Sequence, residues 1–205
     1  MGSRWLSALL AAAGCAIGLF WTWLIAFKTD TGVLEDMRVF AMVVLHQTAW
    51  MRDVAGVAKG LADPRWFLVL VVGTLAVSLA RGRWAIAVAV VVLIVGANVT
   101  TQILQSVTTG TRVVPAIPYA QWPSGHATAI VSLALGLLLS VPAEARRGAT
   151  VTAVVATAAI GWAVVARHTH LPSDVLGAVF VSGFWASLVL AALLRYAPEY
   201  VQASS

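Results

Sequence analysis

The sequence predicts an all-α integral membrane protein: a six-transmembrane-helix bundle with an amphipathic interfacial helix between the first and second spans. Of the 205 residues, 60% are hydrophobic and only 10% are charged, far from the balance of soluble domains. Several apolar runs reach the roughly 17–25 residues that a membrane-spanning helix needs. These runs are continuous rather than alternating, which favours a helical bundle over a membrane β-barrel.

The predicted spans cover most of the chain, which we therefore expect to form a single domain over residues 1–205. They lie at about 5–27, 66–82, 84–104, 125–141, 148–167 and 174–194, and the fourth is the weakest by length. The first span is longer than the apolar core of a signal peptide, so we expect it to be retained. Cys15 is the only cysteine, which excludes an intrachain disulfide and a cysteine-based metal site.

Residues 28–65, between the first two spans, hold nearly half of the charged residues, 10 of 21. From Val39 to Val54, apolar residues recur about one or two turns apart between charged ends, which is typical of an amphipathic helix on the membrane surface. His46 lies in this helix. No second ligand-type residue stands three or four positions away, which favours a surface or packing role for His46.

Basic residues in the loops predict the orientation of the bundle. With the N-terminus in the cytoplasm, most of the basic residues outside the 28–65 segment fall on that side: Arg4, Arg81, Arg83, Arg146, Arg147 and Arg195. Only Arg112, in the outer loop at 105–124, and Arg167, at the end of the fifth span beside the outer loop at 168–173, then lie on the other side. Both termini are thus predicted to be cytoplasmic. The net charge of +5 is explained by basic loops and anionic lipid, and we expect no nucleic-acid partner.

The fourth span opens on Trp122-Pro123-Ser124-Gly125-His126, a set of residues that packing in a membrane does not require. Proline is tolerated at a helix start, glycine lets a ligand approach the backbone, and histidine titrates near neutral pH. Free N–H groups at a helix start, with the positive end of the helix dipole behind them, bind anions. A phosphate is the natural occupant of this start.

A second polar cluster follows the fifth span, where Arg167, His168, His170 and Asp174 fall within eight residues. Such a cluster is costly in a membrane and indicates a site. Asp174, four residues after His170, can accept the N–H of one ring nitrogen and leave the other as a base or nucleophile. Pro172 and Ser173 predict a second helix start, with Ser173 as its cap.

The third span ends in polar residues. Asn98 and Thr101 indicate hydrogen bonds between helices, whereas Gln105 is closer to the loop and could reach a ligand. Arg112, in the irregular loop that follows, can bind two phosphate oxygens through its guanidinium, although an arginine at this depth equally serves as an interfacial anchor.

Two other kinds of site compete with a phosphate site. Zinc could be bound by His126, His168, His170 and Asp174, but a Ser-Gly helix start and an arginine suit an anion better than a cation. A hydrolase with Ser124 as its nucleophile is also conceivable. It is less favoured, because the sequence has no strand-turn-helix elbow and the two histidines are placed for separate roles.

Pro123-Ser124-Gly125-His126, followed by His170 and Asp174, resembles the type 2 phosphatidic acid phosphatase (PAP2) superfamily of membrane lipid phosphatases. The first motif matches at every position, and the second keeps its histidine, its Pro-Ser pair and its aspartate. The resemblance covers about residues 98–194. It implies a metal-independent enzyme without a cofactor that hydrolyses a phosphomonoester or pyrophosphate of a membrane lipid, of isoprenoid or phosphatidyl type, through a phosphohistidine.

The resemblance also implies a role for each motif residue. His170 would attack phosphorus, Asp174 would hold its tautomer, and His126 would protonate the leaving oxygen and then activate water. Charge on the phosphoryl oxygens would be stabilised by the candidate phosphate-binding residues, which are Arg112, Ser124, Gly125, Gln105, Arg167 and His168.

Two of the three cations in the family pattern are absent from their usual places. Gln105 stands at the lysine position of the first motif, where Val113 also replaces a proline. Ala163 and Val164 stand at the Ser-Arg pair of the third motif. Arg167 is a candidate replacement for the missing arginine, and His168 is another.

Two alternatives use the same motifs: a lipid phosphotransferase with the same intermediate, and a non-catalytic member that binds lipid phosphate or assists transport. The expected partners are a phosphorylated membrane lipid and the bilayer, and the sequence does not predict an oligomeric state. Ala- and Arg-rich usage indicates a GC-rich bacterial source, hence a plasma (inner) membrane with the site on the extracytoplasmic side. Tryptophans at span ends predict an interfacial belt: Trp5, Trp66, Trp84 and Trp122.

Overall fold

A computed structural model describes residues 2–109 and 121–199, and the regular structure within those ranges is entirely helical. The helices, in chain order, are α1 (Gly2–Lys28), α2 (Asp30–Leu45), α3 (Ala49–Gly60), α4 (Pro64–Ala80), α5 (Trp84–Thr108), α6 (Gly125–Ser140), α7 (Ala143–Ala166) and α8 (Pro172–Tyr196).

Each predicted span corresponds to a helix, namely α1, α4, α5, α6, α7 and α8. In the described ranges, α1, α5, α7 and α8 are each long and apolar enough to cross a membrane, and α3 with α4, bent by 58°, would make a fifth span. Helix α6 has only 16 residues, or about 24 Å of helix, which is short for a bilayer. The all-helical, multi-pass class is confirmed, but the count of six spans is not.

The single helix predicted between the first two spans is wrong: this segment forms two helices, α2 and α3. Helix α2 ends at Leu45, where the His46 ring nitrogen Nδ1 lies 2.9 Å from the Met42 carbonyl oxygen. Thr48 then adopts an extended conformation, and its carbonyl accepts the Arg52 N–H as α3 begins. His46 is exposed, as its expected surface role requires.

Polar side chains link α5 to α6 in the middle of the bundle. The hydroxyl oxygens of Thr101 and Thr128 lie 2.9 Å apart, and the Asn98 amide donates to Ser132 Oγ at 3.4 Å. The interhelical hydrogen bonds expected of Asn98 and Thr101 are therefore confirmed. These hydrogen bonds fix the register of α5 and α6. Residue 105 and residues 124–126 therefore lie at the same end of the bundle.

The two ends of the bundle differ in chemistry. At one end, the Ser78 hydroxyl donates to Ser140 Oγ at 2.9 Å, and buried Arg83 reaches the Ser140 carbonyl oxygen at 3.5 Å. The basic turns around residues 81–83 and 146–147 lie at this end. The other end gathers the end of α5, the start of α6, the α7–α8 loop and the start of α8. The polar motifs thus meet at the end away from the basic turns.

Candidate active site

The two motif histidines face each other at the end of the bundle that carries the polar motifs. His126 lies in the first turn of α6, His170 lies just before α8, and their ring centroids are 6.5 Å apart. The His170 nitrogen Nδ1 lies 3.2 Å from Asp174 Oδ2, and Asp174 is fully buried. This contact leaves Nε2 as the ring nitrogen of His170 that is available to a substrate.

Asp174 also joins the two motifs. Its Oδ2 accepts the Leu171 N–H at 2.9 Å, which fixes the carboxylate relative to the loop that carries His170. Its backbone carbonyl accepts the Ser124 N–H at 2.9 Å. One residue therefore sets the distance between the start of α6 and the start of α8.

The start of α6 has the features of an anion site. Ser124 is the N-cap, and its buried Oγ accepts the Ala127 N–H at 3.3 Å. The N–H groups of Gly125 and His126 donate to no other described residue. Among residues 2–109 and 121–199, a Cβ built on Gly125 would meet only the Gln105 side-chain nitrogen, at 3.6 Å, so their packing does not require a glycine here. The free N–H groups and the lack of close described neighbours over Gly125 suit an anionic ligand.

The residues before Ser124 are held by the end of α5. The Gln105 amide donates to the Pro123 carbonyl at 2.7 Å, and the Thr108 hydroxyl donates to the Trp122 carbonyl at 2.9 Å. Pro123 itself precedes the helix and follows a cis peptide bond. Gln105, at the position where the motif has a lysine, thus supports the α6 start; whether it also touches phosphate stays a prediction.

The start of α8 is built differently. Ser173 was expected to be the N-cap, but the N-cap is Leu171 and Ser173 is the second residue of the helix. The Ser173 N–H donates to Asp36 Oδ1 at 2.9 Å, and its hydroxyl donates to Asp36 Oδ2. Asp36 belongs to α2 and is only 8% exposed. Helix α2 therefore supplies a buried carboxylate that the motifs do not predict.

The family model described as "PAP2 superfamily" matches residues 116–197, the segment that carries both motifs. The predicted resemblance to the PAP2 superfamily is confirmed. The fold is similar to that of a transmembrane PAP2-type phosphatidylglycerolphosphate phosphatase from Bacillus subtilis, with a TM-score of 0.64 and 21% sequence identity. That alignment covers 96% of this chain and 94% of the other. A comparison with curated protein sequences found no match.

The PAP2 arginine position is occupied by apolar packing. Val164 is fully buried and belongs to the same cluster as Phe40, Ile130 and Leu171. Ala163, beside it, packs with Ala55 of α3. Helices α2 and α3 therefore cover the surface of α7 from which the third-motif arginine would project.

Two cations of the described residues lie on the helices next to the candidate site. Arg167 is exposed at the end of α7, and Arg112 lies outside the described residues. Lys59, in the last turn of α3, is close enough to interact electrostatically with His126, and Asp63 offsets part of that positive charge. The exposed His168 has a φ of +56°. The phosphate roles predicted for Arg112, Arg167 and His168 stay predictions.

The tryptophans at the ends of the predicted spans differ in burial. Trp122 is buried rather than part of an interfacial belt, because its Nε1 donates to the Ser173 carbonyl at 3.2 Å and its ring packs on Phe27. Trp66 and Trp84 are exposed.

Within residues 2–109 and 121–199, no group of three His, Cys, Asp or Glu side chains is placed to hold a metal ion.

An apolar cavity of about 400 Å³ lies between α1 and α5 and reaches Trp122, next to the candidate site. Phe20 and Trp23 line it from α1, Leu104 lines it from α5, and Trp122 lines its motif end. Lys28, whose ammonium lies over the Trp23 ring, also borders it. The cavity gives an apolar chain a place next to the polar residues.

Proposed function

We propose that the protein is an extracytoplasmic-facing lipid phosphatase that hydrolyses a phosphomonoester or pyrophosphate of a membrane lipid through a phosphohistidine on His170. One observation carries the proposal. His170, tied through Nδ1 to buried Asp174, faces His126 with ring centroids 6.5 Å apart, and His126 belongs to the α6 start, whose first N–H groups bind no other described residue. A nucleophile, its orienting carboxylate, an acid–base group and an anion site thus lie together.

In the first step, His170 Nε2 attacks phosphorus in line with the leaving oxygen. The P–N bond forms, the P–O bond breaks, and His126 gives its proton to the departing oxygen. Asp174 accepts the Nδ1–H of His170 and stabilises the positive charge that grows on that ring. The product of this step is a phosphohistidine and a lipid alcohol or lipid monophosphate.

In the second step, neutral His126 takes a proton from water while the water oxygen attacks phosphorus. The P–N bond breaks, inorganic phosphate leaves, and His170 and His126 return to their starting states. The scheme needs neither a metal ion nor a cofactor, because the two histidines perform all of the proton and phosphoryl transfers.

Charge on the phosphoryl oxygens is balanced chiefly at the α6 start. The N–H groups of Gly125 and His126 provide donors fixed before the reaction, which is the arrangement that stabilises a transition state best. Arg112 adds a guanidinium. Arg167 supplies positive charge in place of the third-motif arginine, whose position is occupied by Val164.

Lipid substrates are supported by two features. The apolar cavity beside Trp122 suits an acyl or isoprenoid chain. The PAP2-type structural neighbour is named as a phosphatidylglycerolphosphate phosphatase, which favours the phosphatidyl class. The basic turns at the opposite end of the bundle favour a site that faces away from the cytoplasm of a bacterial plasma membrane.

Phosphate release from a panel of lipid phosphates and diphosphates, measured in EDTA, tests the proposal. We expect release by the wild-type protein and none above background by His170→Ala. Glu35→Gln, a change at an exposed side chain of α2, serves as the control and should behave as the wild type. Equal activity of His170→Ala and wild type would refute the mechanism, and activity that EDTA removes would refute metal independence.

A non-catalytic lipid-phosphate-binding protein is the second candidate, because apolar Val164 and the engaged amide of Gln105 stand where the PAP2 pattern has cations. Such a protein would bind lipid phosphate equally well with or without His170. Phosphate release that depends on His170 separates the two functions. Transfer of phosphate to added alcohols, instead of to water, would identify a phosphotransferase.

A further inference from the structure

Helix α2 and the residues that join it to α3 contact the α7–α8 loop along its length. Gln47, between the two helices, donates its amide to the Ala166 carbonyl at 3.1 Å. The Phe40 ring lies edge-on to His168, with centroids 5.7 Å apart. Asp36 binds Ser173, beyond His170. The loop that carries the proposed nucleophile is thus held at its beginning, middle and end by α2 and the connection that follows it.

The Asp36 contact is the most polar of these. Both carboxylate oxygens are used, one by the backbone N–H and one by the hydroxyl of the same residue, Ser173. Hydrogen bonds to an ionised carboxylate are about twice as strong as neutral ones, and a negative charge at a helix start is stabilised by the helix dipole. Phe40, four residues later and on the same face of α2, is buried beside Leu171. Asp36 therefore has one fixed position relative to the first turn of α8.

We propose that Asp36 is a positioning residue that acts through Ser173 on the His170–Asp174 pair. Asp174 follows Ser173 directly, and its carboxylate must meet His170 Nδ1 at 3.2 Å while its backbone carbonyl holds Ser124. A first turn that moves relative to the loop changes both distances. Asp36 prevents this movement. The inference rests on the proposed function of His170.

Asp36 has a second consequence for the site. Its carboxylate occupies the positive end of the α8 dipole, which would otherwise compete for the substrate phosphate. The α6 start is left as the position for that phosphate. Asp36 lies outside residues 116–197, the segment that the PAP2 model matches, so the motifs alone do not reveal it.

The test compares Asp36→Ala and Asp36→Asn with the control Glu35→Gln in the full-length protein in lipid nanodiscs. Rapid mixing with a phosphorylated lipid measures the amplitude and the rate constant of phosphoenzyme formation. The amplitude gives the fraction of competent sites, and the rate constant gives the speed of phosphoryl transfer at each of them. A displacement of about 1 Å can cost 10²-fold in rate, so we expect a fall of about 10- to 100-fold in the rate constant for Asp36→Ala. The KM and the amplitude per folded protein should stay near the wild-type values. Asp36→Asn, which keeps the shape, should restore part of the rate.

Ser173→Ala removes only the hydroxyl contact and keeps the inference testable if Asp36→Ala folds poorly. We expect a smaller fall in the rate constant for Ser173→Ala, and little additional loss when it is combined with Asp36→Asn, because the two residues act as one unit. A lower amplitude with an unchanged rate constant would reduce Asp36 to a folding role and overturn the inference. No phosphoenzyme in the wild-type protein would instead overturn the proposed function, on which the inference depends.

Discussion

The starts of α6 and α8 lie side by side, joined by the hydrogen bond from the Ser124 N–H to the Asp174 carbonyl, yet they use their backbone donors differently. At α8, the Leu171 N–H binds the Asp174 side chain and the Ser173 N–H binds Asp36. At α6, the N–H groups of Gly125 and His126 bind no other described residue.

This difference explains how one sequence feature, a Pro-Ser pair at a helix start, gives two kinds of site. A helix start attracts negative charge whether the charge belongs to the protein or to a ligand. The α8 start is saturated by carboxylates of the protein and therefore serves as a rigid support for His170. The α6 start keeps its donors and therefore suits the phosphate of a substrate.

The largest expected effect comes from breaking the α8 support at Asp174. Asp174→Asn replaces the acceptor of the His170 Nδ1–H and disturbs the contact with Leu171. By analogy with other oriented catalytic histidines, we expect turnover to fall by about 10³- to 10⁴-fold with little change in lipid binding. Steady-state phosphate release and a direct lipid-binding measurement check this. A loss below about tenfold would contradict the role given to the carboxylate.

A paired glycine substitution separates the two helix starts. Gly125→Ala places a methyl group in ordinary contact with Gln105, so the fold should tolerate it, whereas the phosphate above the α6 start should not. We expect an increase in KM of about tenfold, equivalent to ~1.4 kcal/mol, and an unchanged melting temperature.

Gly177→Ala, in the second turn of α8, should have the opposite effect: a lower melting temperature with an unchanged KM. Its Cβ would lie 2.7 Å from Trp122 Nε1 and 3.1 Å from Pro123 Cβ, atoms that are packed in the interior. Overpacking of this kind costs about 1–3 kcal/mol, so the melting temperature in detergent should fall. A Gly125→Ala protein with normal KM would show that phosphate does not approach the α6 start.

The smallest expected effects concern the replacement cations. Arg167→Ala and Lys59→Gln should each lower kcat/KM by a few-fold to tenfold, because each side chain contributes long-range positive charge near the phosphate rather than a buried contact. Arg38→Ala, at an exposed arginine paired with Glu35, is the matched control. The kcat/KM values of the three variants at low and high salt provide the comparison. Equal values for Arg167→Ala and the control would remove Arg167 from the site.

Much of this architecture could be predicted from the sequence. Apolar length predicted the positions of α1, α4, α5, α6, α7 and α8, although the count of six spans is not confirmed. The polar residues of the motifs indicated the candidate site, because polar groups at the ends of membrane helices are rare and costly. The four-residue spacing of His170 and Asp174 predicted their contact, which the structure contains at 3.2 Å. Thr101 and Thr128 meet as expected for polar residues inside a helical bundle.

The contacts that depend on tertiary packing could not be predicted. Asp36 and Ser173 are 137 residues apart, and nothing local distinguishes Asp36 from the other acids of the charged segment. The one signal for Asp36 in the sequence is its spacing from Phe40. Asp36 lies four residues before Phe40, and the two therefore share a face of α2. Trp122 resembled an interfacial tryptophan because it lies at a span end, but the approach of Gly177 gives its ring a buried place.

The central claim is that phosphate moves from lipid to His170 over the α6 start, and trapping of the phosphoenzyme tests it most directly. His126→Ala lacks the group that activates water, so phosphate should remain on the protein after mixing in EDTA with a lipid diphosphate, whose leaving lipid monophosphate departs without the proton that an alkoxide would need from His126. We expect an acid-labile phosphate that mass spectrometry assigns to residue 170, and none in the double variant His126→Ala/His170→Ala. Phosphate found on another residue, or none trapped while lipid is still hydrolysed, would contradict the account.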